Sequence, residues 1–79
     1  MSHDDVFIVD DDADIRDAMR MNLEAAGFKV FCFGSAEAFL ADVTVKRGCL
    51  IADIRMPDMG GLALLKEIER RQLRLPVIL

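Results

Sequence analysis

Cysteine is scarce. Cys32 and Cys49 are too few for a disulfide framework and are not spaced as metal ligands, so reduced core thiols are expected. Proline occurs twice and glycine five times, which excludes a collagen-like repeat or a low-complexity linker. No apolar run approaches the ~20 residues of a membrane span, and the acidic N-terminus is unlike a signal peptide. A soluble, cytoplasmic domain with no membrane partner is the expectation. The one histidine, His3, lies in a terminal segment with nothing nearby to define a site. Basic residues are outnumbered, 10 against 14 acids, and form no stripe, which argues against nucleic acid as a direct ligand. What is present is 53% hydrophobic and 30% charged sequence over 79 residues, enough for one small folded domain. Asp4, Asp5, Asp10, Asp11, Asp12, Asp14 and Asp17 crowd the beginning, while Lys66, Arg70, Arg71 and Arg74 cluster near the other end. A cation is the partner this acidic concentration suggests.

Val6-Phe7-Ile8-Val9 is continuously apolar and stops at three aspartates, the pattern of a parallel strand buried on both faces. From Asp12 the period becomes helical. Ile15, Met19 and Leu23 recur every four residues, and Gly27 stands at the C-terminal stop. Phe28 to Phe33 reads as a second strand. Ser35 is placed to cap a short helix carrying Phe39, Leu40 and Val43, closed by Lys46-Arg47-Gly48. Cys49 to Ala52 is a third strand, and it too ends on an aspartate, Asp53. Residues 55–61 form a loop, Leu62, Leu65 and Ile68 mark a third helix, and Pro76 to Leu79 begins a fourth strand. The order βαβαβαβ predicts an α/β parallel sheet with right-handed crossovers.

Parallel strands end at one edge of the sheet, where open α/β folds bind ligands. Asp10 and Asp11 follow the first strand and Asp53 the third, so adjacency of those strands would bring three carboxylates into one pocket. Such a cluster repels itself, and a hard divalent cation with oxygen ligands relieves the repulsion; Mg²⁺ is the usual choice where phosphate is handled. A carboxylate beside Mg²⁺ can attack a phosphoryl group. Asp12 suits a helix cap better than a ligand. An EF-hand reading of Asp10, Asp12 and Asp14 fails because Ile15 stands where glycine is required and Met21 where Glu is required. A dehalogenase-type phosphohydrolase would need a threonine that Asp10-Asp11-Asp12-Ala13-Asp14 lacks.

Ile8-Val9-Asp10-Asp11-Asp12, Asp53 and Met56-Pro57-Asp58-Met59-Gly60-Gly61 together resemble the receiver domain of bacterial two-component response regulators. Ser35-Ala36-Glu37-Ala38-Phe39-Leu40 and Arg55-Met56-Pro57 look most like receivers that precede a LuxR-type helix-turn-helix output. The resemblance implies a flavodoxin-like sheet, here in order 2-1-3-4, and a phosphoryl group accepted by Asp53 from a histidine kinase. It implies Mg²⁺ held by Asp11, Asp53 and the Arg55 main-chain carbonyl, with Asp10 acting through water, and a loop shaped by Pro57 and Gly61. It makes the chain a regulatory phosphoacceptor in transcription control rather than an enzyme on an external substrate.

A complete receiver adds a fifth strand and two more helices, a Thr or Ser ending strand four and a Lys ending strand five. None of these lies within residues 1–79, which therefore read as the N-terminal two-thirds of a receiver without an output domain. Lys46 and Lys66, on or beside helices, are poor substitutes for that lysine. The competing reading is a receiver-like interaction or dimerisation module without phosphoryl chemistry. The first helix and parts of strands one and three are expected to present apolar surface, so the expectation is either a homo-oligomer that covers this face and the edge of strand four or a poorly folded monomer.

Overall fold

The computed structural model describes residues 5–42, 48–53, 60–72 and 75–79. Four strands, β1 (Asp5–Val9), β2 (Lys29–Phe33), β3 (Cys49–Ala52) and β4 (Val77–Ile78), alternate with three helices, α1 (Ala13–Ala25), α2 (Ala36–Ala41) and α3 (Gly61–Arg70). The strands are parallel and stand in the order β2-β1-β3-β4, as the alternation of elements predicts. β1 is central, and its last four residues are all buried.

Register sorts the side chains into two layers. Phe7 pairs with Phe31 and Leu50, and Val9 with Phe33 and Ala52, so these share one face. Phe7, Val9, Leu50 and Ala52 join Ala36, Phe39 and Leu40 of α2, Leu64 and Ile68 of α3, and Leu75 in one buried cluster. Phe39 is its hinge of contact, edge-on to Phe7 at 6.0 Å and to Phe33 at 5.4 Å. Each such side chain contributes roughly 1.5–3 kcal/mol by leaving water. Val6, Ile8, Val30, Cys32, Cys49 and Ile51 share the opposite face by the same register. α1 lies there: burial pushes the Cys32 thiol up, and Arg20 and Arg16 of α1 oppose that shift.

Local chemistry explains where the elements stop. The Asp12 carboxylate accepts from the Asp14 and Ile15 amides at 2.9 and 3.3 Å and caps α1. At the other end Gly27 adopts φ +98, its amide donates to the Glu24 carbonyl, and the Phe28 amide donates to Leu23. That is a Schellman closure, so Phe28 belongs to the helix stop and β2 begins one residue later than predicted. The Ser35 hydroxyl caps α2 by accepting from the Ala38 amide at 3.0 Å.

Three expectations need correction. α2 ends at Ala41 with Asp42 as its cap, short of the predicted close; Val43, Thr44 and Val45 are β-branched and poor helix formers. Val43, Lys46 and Arg47 lie outside the described residues. On α3 the buried stripe is Gly61, Leu64 and Ile68, while Leu62 is 58% exposed; the face is chosen by the fit of Leu64 beneath the sheet, which periodicity alone leaves open. The apolar surface expected around α1 is real at Ile15, 45% exposed, and α1 has no buried residue; Ile78, 56% exposed, adds apolar surface at the edge strand β4. The expected surface does not extend to β1, whose Val6 and Ile8 are buried.

Candidate functional site

β1 and β3 deliver their following residues to the same edge of the sheet. The Asp10 amide donates to the Phe33 carbonyl at 3.1 Å, and the Asp53 amide donates to the Val9 carbonyl at 3.1 Å. Both aspartates therefore hang from the sheet ladder itself, one step beyond the last paired residue. Asp11 follows Asp10 into the turn toward α1. One carboxylate oxygen from each of Asp10, Asp11 and Asp53 lies within 4.8 Å of the other two. The convergence anticipated from strand-terminal aspartates is thus present, and it depends on β1 and β3 being neighbours.

The three acids differ in setting. Asp10 is only 8% exposed, Asp53 is half-buried and Asp11 faces solvent. Asp10 also serves the turn: its Oδ1 accepts the Asp12 amide at 2.9 Å. Arg16, one turn into α1, donates from Nη1 to the Asp10 main-chain carbonyl at 2.6 Å. At 4.8 Å and an effective dielectric of about 20, each pair of charges repels by ~3 kcal/mol before solvent screening at the open side. A hard divalent cation offsets this, and a cluster of carboxylate oxygens with an open, solvated side matches the donor chemistry of Mg²⁺. The site can hold such an ion and present a carboxylate nucleophile beside it.

Arg55 and Pro57 lie outside the described residues. Gly61 is the buried first residue of α3, with Gly60 at the cap position. Asp14 and Asp17 are exposed on α1, the latter 3.6 Å from Arg20. The residue that sequence reasoning passes over is Arg16. Its acceptor is a main-chain carbonyl, which carries no side-chain signature; only its place in the first turns of the helix after the aspartates could have drawn attention.

A second ionic cluster lies away from the acids. Glu67 on α3 accepts from Arg70 and Arg71, with Nε to Oε1 distances of 3.0 Å for each. Hydrogen bonds from Arg70 and then Arg71 hold its carboxyl down at about 2. Arg71 also reaches the Leu40 carbonyl at 3.4 Å and so ties α3 to α2.

Residues 6–79 match the family described as response regulator receiver domain. The C4-dicarboxylate transport transcriptional regulatory protein DctD of Rhizobium meliloti is 49% identical over 94% of the chain, which spans 16% of that protein. Transcriptional regulatory protein FixJ of Bradyrhizobium diazoefficiens is 37% identical over 94% of the chain and is spanned to 37% of its length. The chain thus covers well under half of these relatives. Among solved structures, the crystal structure of FixJ-N superposes with TM-score 0.83 at 41% identity, covering 92% of this chain and 59% of that one. The response regulator TrrA of Thermotoga maritima, solved with Mg²⁺ and BeF, gives TM-score 0.85 at 26% identity, with coverage of 95% and 66%.

Proposed function

The chain belongs to the response regulator receiver domain family, and from that premise we propose that Asp53 accepts a phosphoryl group from a histidine kinase in a Mg²⁺-dependent reaction. The observation that carries the reading is the convergence of Asp10, Asp11 and Asp53 at the carboxyl edge of β1 and β3. Asp11, Asp53 and the Arg55 carbonyl would hold Mg²⁺ directly, Asp10 through water, and Pro57 and Gly61 would shape the adjoining loop. When bound, the ion supplies positive charge against the phosphoryl oxygens. An Asp53 oxygen forms the new bond to phosphorus as the donor's nitrogen–phosphorus bond breaks, and the departing imidazole nitrogen takes the electron pair. Asp10 is buried, and its carboxylate is tied to the Asp12 amide, which limits its freedom within the cluster. The fit of the fold to TrrA, a regulator solved with Mg²⁺ and BeF, supports the same assignment.

In this reading the chain is the N-terminal two-thirds of a cytoplasmic receiver, a regulatory phosphoacceptor that contacts no nucleic acid itself. Among the described residues no helix is long and apolar enough to cross a membrane. The exposed Ile15 and Ile78 favour a second property, self-association through the α1 face or the β4 edge. Light scattering that shows a monomer at high concentration would remove it.

Phosphorylation by acetyl phosphate, read by intact mass, tests the chemistry. A gain of one phosphate with Mg²⁺, absent with EDTA and in Asp53→Asn, is the expected result. No gain in folded protein would leave the interaction module as the better reading.

A further inference from the structure

We infer that Arg16 is a positioning residue for the acidic site: its guanidinium clamps the peptide between Asp10 and Asp11 and so sets where Asp11 meets the metal. The inference rests on the Mg²⁺ reading above and adds a residue to it.

Asp11 is the exposed member of the cluster. Its backbone, however, is held on both sides. The carbonyl of Asp10 belongs to the peptide entering Asp11, and Arg16 Nη1 donates to it at 2.6 Å. The amide of Asp12 belongs to the peptide leaving Asp11, and it donates to Asp10 Oδ1 at 2.9 Å. Because each peptide is planar, fixing both planes leaves the Asp11 Cα–Cβ direction little freedom. Both ties belong to the stronger, charge-assisted class of hydrogen bond, one through the guanidinium donor and the other through the carboxylate acceptor.

Arg16 spends this donor on a carbonyl although three acids lie close to it in sequence. Asp12, Asp14 and Asp17 lie on the same stretch of chain, and the neighbouring Arg20 does pair with Asp17. The half-buried guanidinium instead lies beside Gly34, where a Cβ would stand 3.5 Å from Nη1. The turn after β2 therefore forms one wall of the lane that leads Arg16 to the end of β1. The clamp joins α1 to the edge from which the metal ligands project.

Two variants separate donor from stem. Arg16→Met keeps an apolar stem and has no donor; Arg16→Lys keeps a charged donor. The 79-residue chain is titrated with MgCl₂ and followed by backbone amide shifts, and hydrogen exchange of the Asp12 amide is measured without metal. Arg16→Met is expected to weaken Mg²⁺ binding about fivefold and to speed Asp12 exchange about tenfold, while Arg16→Lys stays within about twofold of wild type. Unchanged Mg²⁺ affinity and unchanged Asp12 exchange in Arg16→Met overturn the inference. Equal losses of affinity in both variants with Asp12 protection intact overturn it too, since stem packing would then be responsible. A wild-type chain that binds no Mg²⁺ overturns the site reading and the metal role of Arg16 together; Asp12 exchange then decides alone whether Arg16 holds the turn.

Discussion

Neutralising Asp11 should stabilise the metal-free protein and abolish its response to Mg²⁺. Asp11→Asn keeps the size of the side chain and removes one charge from three carboxylates whose oxygens lie within 4.8 Å of one another. Each pair repels by ~3 kcal/mol at an effective dielectric of about 20. Asp11 is exposed, so solvent screens much of this, and the unfolded chain retains some repulsion between adjacent Asp10 and Asp11. A net gain of about 1 kcal/mol remains. For a domain of this size that raises Tm by roughly 4–8 °C. Magnesium at ten times its Kd should stabilise wild type by about 1.4 kcal/mol and Asp11→Asn by far less. The sequence has no Trp or Tyr, so melts are best followed by far-UV circular dichroism, once in EDTA and once in MgCl₂. If Asp11→Asn melts at or below wild type in EDTA, the carboxylates are not in repulsive contact. If it gains as much from Mg²⁺ as wild type does, Asp11 is not a ligand.

Other substitutions test the frame around the site. Phe39→Ala removes a fully buried ring wedged between Phe7 and Phe33; a loss of about 3–5 kcal/mol is expected in denaturant titration, enough to unfold much of so small a domain. Gly48→Ala would place a Cβ 2.0 Å from the Asp5 carbonyl oxygen at φ +125, so loss of cooperative unfolding is expected, and a variant within 1 kcal/mol of wild type would show that this approach is not tight. Glu67, held down at about 2 by Arg70 and Arg71, has a folded value below its ordinary 4.5. Its contribution is therefore full above about 4.5, declines as pH falls and is gone near 2. Glu67→Gln should accordingly be less stable than wild type at pH 6 and should converge with it in melts near pH 2.

Much of this architecture is legible from residue order. Strand ends announced by Asp10 and Asp53, the Asp12 and Ser35 caps and the Gly27 stop are written in local chemistry, and each recurs in the structure. Adjacency of β1 and β3, which makes the site, follows from strand order rather than from any single motif. Less legible are features decided by packing. Leu62 and Leu64 both fit a helical stripe, and only contact with the sheet selects Leu64. Phe28 looks like strand because it is aromatic, yet its amide closes α1. Arg16 is invisible for a different reason, since its partner is a backbone oxygen whose position exists only once α1 has packed.

The origin of the three acids from non-adjacent parts of the chain also bears on kinetics. β1, α1 and β2 are contiguous and pair through a single crossover that contains α1, and that unit already carries Asp10 and Asp11. Asp53 arrives only when β3, coming from beyond α2, docks on the other side of β1. An ion that needs all three acids thus recognises the chain only after the slower, longer-range pairing is complete. Mg²⁺ bound in this way would hold the finished sheet shut, lengthening the lifetime of the native state and leaving the rate of reaching it unchanged.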